Sequence, residues 1–140
     1  MSKLLCLCGH VIVDQTNSLP YKADFFADED DEAWFGGMVD LCSQTIRTRE
    51  AGRELMVGGT PFSEIYGRNA DVSVYVNDML SMFSERFRRQ MYECPVCGRL
   101  WVQSRPEKNE YASFWPETSM RGILRAKGVN TPDGDEEGQQ

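Results

Sequence analysis

Two short cysteine motifs at opposite ends of the chain constrain its fold more than anything between them. Near the start stands Cys6-Leu-Cys8-Gly9-His10, and far downstream stands Cys94-Pro-Val-Cys97-Gly98-Arg99. In the second motif, two residues between the cysteines let both sulfurs face one ion. Gly98 can take the positive φ that turns the backbone beneath that ion. Backbone N–H groups in such a turn point at the thiolates and stabilise their charge. One such knuckle supplies two ligands, whereas a closed tetrahedral site needs four. Cys6 and Cys8 are the complement: in an extended strand, residues i and i+2 project to the same side. The long stretch between the motifs is no obstacle, because loop-closure cost grows only logarithmically with length.

The expected site is therefore a structural zinc held by Cys6, Cys8, Cys94 and Cys97. Zinc is the default at a structural four-thiolate site, with iron as the alternative. His10 is a rival ligand beside Cys8. The fifth cysteine, Cys42, falls on the apolar face of a predicted helix and reads as a buried core thiol. A thioredoxin-type redox pair needs a βαβ setting, and hairpin signals follow Cys97 instead. Four thiolates leave no open coordination position, which argues against metal catalysis.

The elements around the motifs read as follows. Residues 3–14 form a hairpin with its knuckle at the tip, and Tyr21–Ala27 is a further strand or an irregular crossing. The acidic run Asp28, Glu29, Asp30, Asp31, Glu32 precedes a helical stripe of Trp34, Met38, Leu41, Cys42 and Thr45, widened by Phe35, Val39 and Ile46. Acidic residues in a first turn complement the helix dipole. Gly36-Gly37 inside this helix marks either a close approach by another element or a helix that starts later than this stripe suggests. Arg47, Arg49 and Arg53 belong to a polar stretch after it, and Met56–Gly59 is a loop. Thr60 as N-cap and Pro61 at the first helical position open a short helix ending near Gly67. The strongest helical period runs from Val72 to Phe87. Beyond the second knuckle come an alternating strand to Gln103, a polar turn, a return strand over Tyr111–Trp115 and a short element at Gly122–Arg125. These spans give a single zinc-containing domain over residues 1–129. Its ribbon comes from 3–14 and 92–117, its helical insert from 28–91, and a disordered acidic tail covers 130–140.

The 140 residues are 41% hydrophobic, enough for an ordinary core, and the formal net charge is −7. An acidic chain repels phosphate and suits a basic partner. The arginines Arg86, Arg88, Arg89 and Arg99, with Trp101, and the group Arg47, Arg49 and Arg53, do not amount to a sustained basic stripe. Nucleic-acid binding is not expected. With one histidine and no phosphate-binding loop of the Walker type, the sequence points away from an enzyme. No apolar stretch approaches the roughly 20 residues of a bilayer span. The first residues do not read as a secretory leader, and the cysteines suit a reducing compartment. Cytoplasmic residence is the expectation.

The beginning, Cys6-x-Cys8-Gly-His-Val-Ile-Val-Asp-Gln-Thr-Asn-Ser-Leu-Pro-Tyr-Lys22, resembles the start of a group of small bacterial zinc-ribbon proteins. Cys94-x-x-Cys97-Gly-Arg-Leu-Trp, followed by Ser113-Phe-Trp-Pro-Glu117, resembles their C-terminal part. These are similar in size and architecture to immunity proteins of bacterial polymorphic toxin systems, which neutralise a toxin domain. The resemblance implies zinc-ribbon ends around a helical insert, and an inhibitory binding role. The expected fold is α+β. The expected partner is a protein such as a basic toxin domain, met by Asp28–Glu32; Trp34 and Phe35 are read first as core residues, with a role as aromatic anchors the alternative. The alternative is a zinc-ribbon nucleic-acid-binding or regulatory module.

Overall fold

The N-terminal hairpin forms from two four-residue strands, Ser2–Leu5 (β1) and Val11–Asp14 (β2), paired antiparallel with Leu5 opposite Val11. The computed structural model describes residues 2–117 and 121–126; the tail expected at 130–140 lies outside them. The fold is α+β, as expected. Strands β3 (Lys22–Phe25), β6 (Arg89–Glu93), β7 (Leu100–Gln103) and β8 (Tyr111–Phe114) form a sheet in the order β3-β6-β7-β8. Helix α1 spans Asp31–Glu50, α2 Phe62–Tyr66 and α3 Val72–Glu85; the two-residue strands β4 (Met56–Val57) and β5 (Thr60–Pro61) pair with each other. The chain divides into two compact units. One contains the described residues up to Ala23, Gln90–Val102 and those from Tyr111 on; the other contains Asp24–Arg89 and Gln103–Glu110.

In the first unit both hairpins turn through a cysteine knuckle. β6 and β7 pair antiparallel with Tyr92 opposite Trp101, so the second knuckle is the turn between them. Cys6, Ile12, Tyr92 and Cys94 form its core, with Leu4, Tyr21, Cys97, Trp101 and Tyr111 packed around. A polar network then joins the two hairpins. Asp14 takes Lys22 Nζ at 2.7 Å and the Tyr92 hydroxyl at 2.6 Å, and the Tyr21 hydroxyl donates to the Val13 carbonyl at 2.7 Å. Buried polar groups need such partners, since each one left unpaired costs about 1–3 kcal/mol.

In the second unit α1 and α3 pack together. Gly37 is a point of close approach between them. A Cβ built there would lie 2.2 Å from Phe83 Cζ, whereas one at Gly36 meets nothing within 4 Å. Trp34 stacks on Phe26 at 4.2 Å and donates its indole N–H to Ser84 Oγ at 3.2 Å. Trp34 is thus a packing residue rather than a free anchor, while Phe35 is exposed. A second cluster packs Tyr66 and Tyr75 against the Phe62 ring, and Phe62 N–H bonds the carbonyl of buried Leu55 at 2.8 Å.

Four local expectations need correction. Helix α1 runs on through Arg47 and Arg49 and stops where Gly52 takes φ 65°. There Gly52 N–H bonds the Arg49 carbonyl and Arg53 N–H the Thr48 carbonyl, the glycine-terminated cap that satisfies last-turn carbonyls. The polar residues of that stretch are simply its solvated last turn. Thr60 is not an N-cap: it pairs in β5 with Val57, and α2 starts one residue later than expected. The Met56–Gly59 loop is part of a hairpin whose central residues, Gly58 and Gly59, have φ of 56° and 88°, the double positive φ that tight hairpin turns require. Cys42 is half-buried rather than buried, and Phe35, Val39 and Ile46 do not extend the packed face of α1 but lie exposed.

Candidate metal centre

The two knuckles share one backbone plan despite their different lengths. Cys6 N–H bonds the His10 carbonyl at 2.8 Å, as Cys94 N–H bonds the Arg99 carbonyl at 2.8 Å. Inside each loop a glycine N–H returns to the first cysteine's carbonyl: Gly9 to Cys6 at 2.9 Å, Gly98 to Cys94 at 2.8 Å. Both glycines have positive φ, 87° and 76°. A side chain at either place would strain the left-handed turn. The missing residue in Cys6-x-Cys8 shortens this ring by one residue without altering its closure.

The turns bring the four sulfurs together. All four Sγ atoms lie within 4.8 Å of one another, with Cys6 to Cys97 at 3.5 Å and Cys8 to Cys94 at 3.7 Å. None of the cysteines is in a disulfide. Tetrahedral coordination at about 2.3 Å per zinc–sulfur bond separates the sulfurs by roughly 3.8 Å, so these spacings suit four thiolates around one ion. The cluster can therefore hold a metal. His10 is not part of it among the described residues; its backbone closes the first knuckle instead.

The surrounding groups favour thiolate ligands. The N–H groups of Val96 and Cys97 face Cys94, that of Arg99 faces Cys97, and that of Cys8 faces Cys6. Burial pushes the Cys6 thiol up, but the Cys8 backbone N–H, the Trp101 indole N–H and the neighbouring thiols outweigh it and bring it down to about 7. Burial pushes Cys94 up to about 12 and also raises Cys97. A buried cluster of thiols resists full ionisation until a cation shares its charge. The indole Nε1 of Trp101 is buried without a hydrogen-bond partner among the described residues, and it lies near enough to Cys6 to help lower that thiol. A thiolate is a far better acceptor than a thiol, so this N–H also fits a metal-loaded site. In the sequence Trp101 stands in an arginine-rich patch and in the Cys97-Gly-Arg-Leu-Trp motif; its place opposite Tyr92 and beside the cluster comes from the β6–β7 register.

Arg99, which follows the second knuckle, lies over the Trp115 ring at 4.7 Å and reaches Ser113 Oγ at 3.4 Å. The downstream Ser113-Phe-Trp115 segment is thereby tied to the knuckle. In the other unit, Asp28–Asp30 form a 3-10 turn and Asp31 and Glu32 open α1. These five carboxylates make no ion pair among the described residues, and all but Asp30 are exposed.

A family model described as "Domain of unknown function (DUF8617)" matches residues 2–118. The chain belongs to the DUF8617 family. The matched span takes in all four cysteines of the cluster, Trp101 and the acidic run. No curated protein matches the chain, and no solved structure does. Among the described residues no helix is long and apolar enough to cross a membrane.

Proposed function

We propose that this DUF8617 member is a zinc-pinned binding protein of the immunity type, which neutralises a toxin domain by occupying it. The observation that carries the zinc reading is the convergence of four sulfurs within 4.8 Å of one another. Zinc suits this set because four thiolates satisfy its tetrahedral preference and it brings no redox chemistry. Bound there, it supplies a cross-link and some neutralisation of thiolate charge. Cys6, Cys8, Cys94 and Cys97 hold it, the knuckle N–H groups and Trp101 orient the sulfurs, and the ligand set leaves no position for substrate. The metal's role in this reading is therefore structural rather than catalytic.

The partner reading rests on charge. The chain carries a net −7, and the carboxylates of Asp28–Glu32 make no ion pair among the described residues. A basic protein surface is the complement that such a patch steers and holds. The test is recovery of the tagged protein from its native cell together with identification of the neighbouring reading frames. The expected result is one stoichiometric protein, encoded adjacently, that is toxic when expressed alone and harmless when co-expressed with this chain. Substituting all five carboxylates by their amides abolishes that protection. Recovery of nucleic acid or transcription machinery instead overturns the immunity reading and leaves the zinc site standing.

A further inference from the structure

Helix α3 buries no residue, and α1, twenty residues long, buries only Thr45. On α3 the apolar residues Val72, Val74 and Met82 are exposed, and α1 too leaves apolar surface uncovered. On α1 it forms a line: Phe35 is 62% exposed, Val39 48% and Ile46 58%, with Cys42 half-buried between them. The spacing along that line is four, three and four residues, the alternation that keeps a seam facing a partner helix in a coiled coil. Continued by three residues at each end, the seam reaches Glu32 on one side and Arg49 on the other. Neither has an ion-pair partner among the described residues.

This line is its own complement when reversed. We propose that α1 is the surface through which two copies of this chain pair, with their α1 helices antiparallel. In that register Phe35 meets the second copy's Ile46, Val39 meets its Cys42, and Glu32 meets its Arg49. The charges select the direction. A parallel pair sets Glu32 against Glu32 and Arg49 against Arg49, whereas the antiparallel pair turns both like-charge contacts into ion pairs. A groove of about 390 Å³ lies beside Ile46, lined by Cys42, Val72 and Val76 among others. It receives the second copy's Phe35. Glu29, Asp30 and Asp31 lie off the seam, so the pairing leaves most of the acidic run uncovered. The inference stands apart from the toxin-neutralising reading, since it uses no partner but this chain.

The test is the mass of the full-length, zinc-loaded protein by light scattering and sedimentation. Twice the chain mass of 16.0 kDa is expected at micromolar concentration. Ile46→Asp changes a side chain that faces solvent in the isolated chain, so the fold survives by circular dichroism while the dimer weakens at least ~100-fold, the cost of burying an unpaired charge. Glu32→Arg weakens it about 10-fold, and adding Arg49→Glu restores it. Mild oxidation of a Val39→Cys variant joins the introduced thiol to Cys42 of the second copy. A monomer at every concentration, a dimer indifferent to Ile46→Asp, or a disulfide between the two introduced thiols each overturns the proposal.

Discussion

The sulfurs of Cys6 and Cys97 lie 3.5 Å apart although 91 positions separate them in the chain. A metal at this point is a cross-link between the chain's two ends. In the chain-entropy account, closing a loop of that length is worth roughly 4–5 kcal/mol. A metal there would tie the β1–β2 hairpin to the second hairpin at the point on which its packing depends, where Cys6 and Ile12 cluster with Tyr92 and Cys94.

The first prediction follows from that dependence. The protein is expected to purify with one equivalent of zinc. Cys94→Ser and Cys97→Ser each lower zinc affinity by more than the roughly 10–100-fold that loss of a hydrogen bond to a ligand costs. Cys94 is fully buried and Cys8 exposed, so Cys94→Ser destabilises the fold more than Cys8→Ser. Metal analysis and denaturant midpoints, with and without a chelator, measure both effects. Full zinc occupancy and unchanged midpoints in both second-knuckle variants would mean that the metal sits elsewhere.

Trp101→Phe isolates the indole N–H. The ring packing of Trp101 beside Cys6 and Tyr92 is largely kept, but the donor that bears on the Cys6 sulfur is lost. Zinc affinity is expected to fall about 10–100-fold, with a much smaller change in unfolding of the chelated protein. Competition with a chromogenic chelator reads the first quantity and urea titration the second. An equal loss of stability in both metal states would reduce Trp101 to a packing residue.

The sequence disclosed the metal centre more fully than the helical unit, and the reason is physical. A ligand must carry particular atoms at particular spacings, so Cys94-x-x-Cys97-Gly98 names its own geometry. The tighter Cys6-x-Cys8 pair is a ligand pair for a different reason from strand alternation: β1 ends at Leu5, and the turn closed by the Gly9 N–H on the Cys6 carbonyl brings the two sulfurs together. The helical region carries weaker information. The end of α1 was hidden because a solvated last turn and a polar loop have the same composition; only Gly52 distinguished them. Thr60-Pro61 reads equally well as a helix start and as the return strand of a glycine hairpin, and the pairing with Met56-Val57 decided it. Periodicity placed Phe35, Val39 and Ile46 on one face of α1 without saying whether this chain covers that face.

The paired glycines of α1 yield opposite expectations from adjacent positions. Gly36→Ala meets nothing and exchanges a poor helix former for the best, so it stabilises the protein by about 1 kcal/mol. Gly37→Ala gains the same propensity but drives a methyl group into the Phe83 ring, an overpacking cost of about 1–3 kcal/mol. The two variants should differ by about 2 kcal/mol in urea unfolding, with Gly37→Ala the less stable. Adding Phe83→Leu to Gly37→Ala should recover part of the loss. If the two single variants unfold together, α1 and α3 do not meet at Gly37.

Asp14 gives the acid side of the stability curve a defined contributor. Burial opposes ionisation of its carboxyl, but hydrogen bonds from Lys22 and Tyr92 and the nearby ammonium charge outweigh it and hold the group below the usual carboxylate range. A carboxyl depressed on folding stabilises the native state fully above its unfolded pKa of about 3.9, and that stabilisation disappears as pH falls through the folded value. Asp14→Asn is therefore expected to cost about 1–3 kcal/mol at neutral pH, the range for a hydrogen-bonded charge. The gap between wild type and variant should stay constant down to the unfolded pKa and then close. Acid also protonates the cysteine ligands, but it does so equally in both proteins, so the difference between them isolates Asp14. Chemical unfolding at a series of pH values measures that difference. A gap that persists in strong acid would show that the variant loses packing around Tyr92 rather than the charge on Asp14.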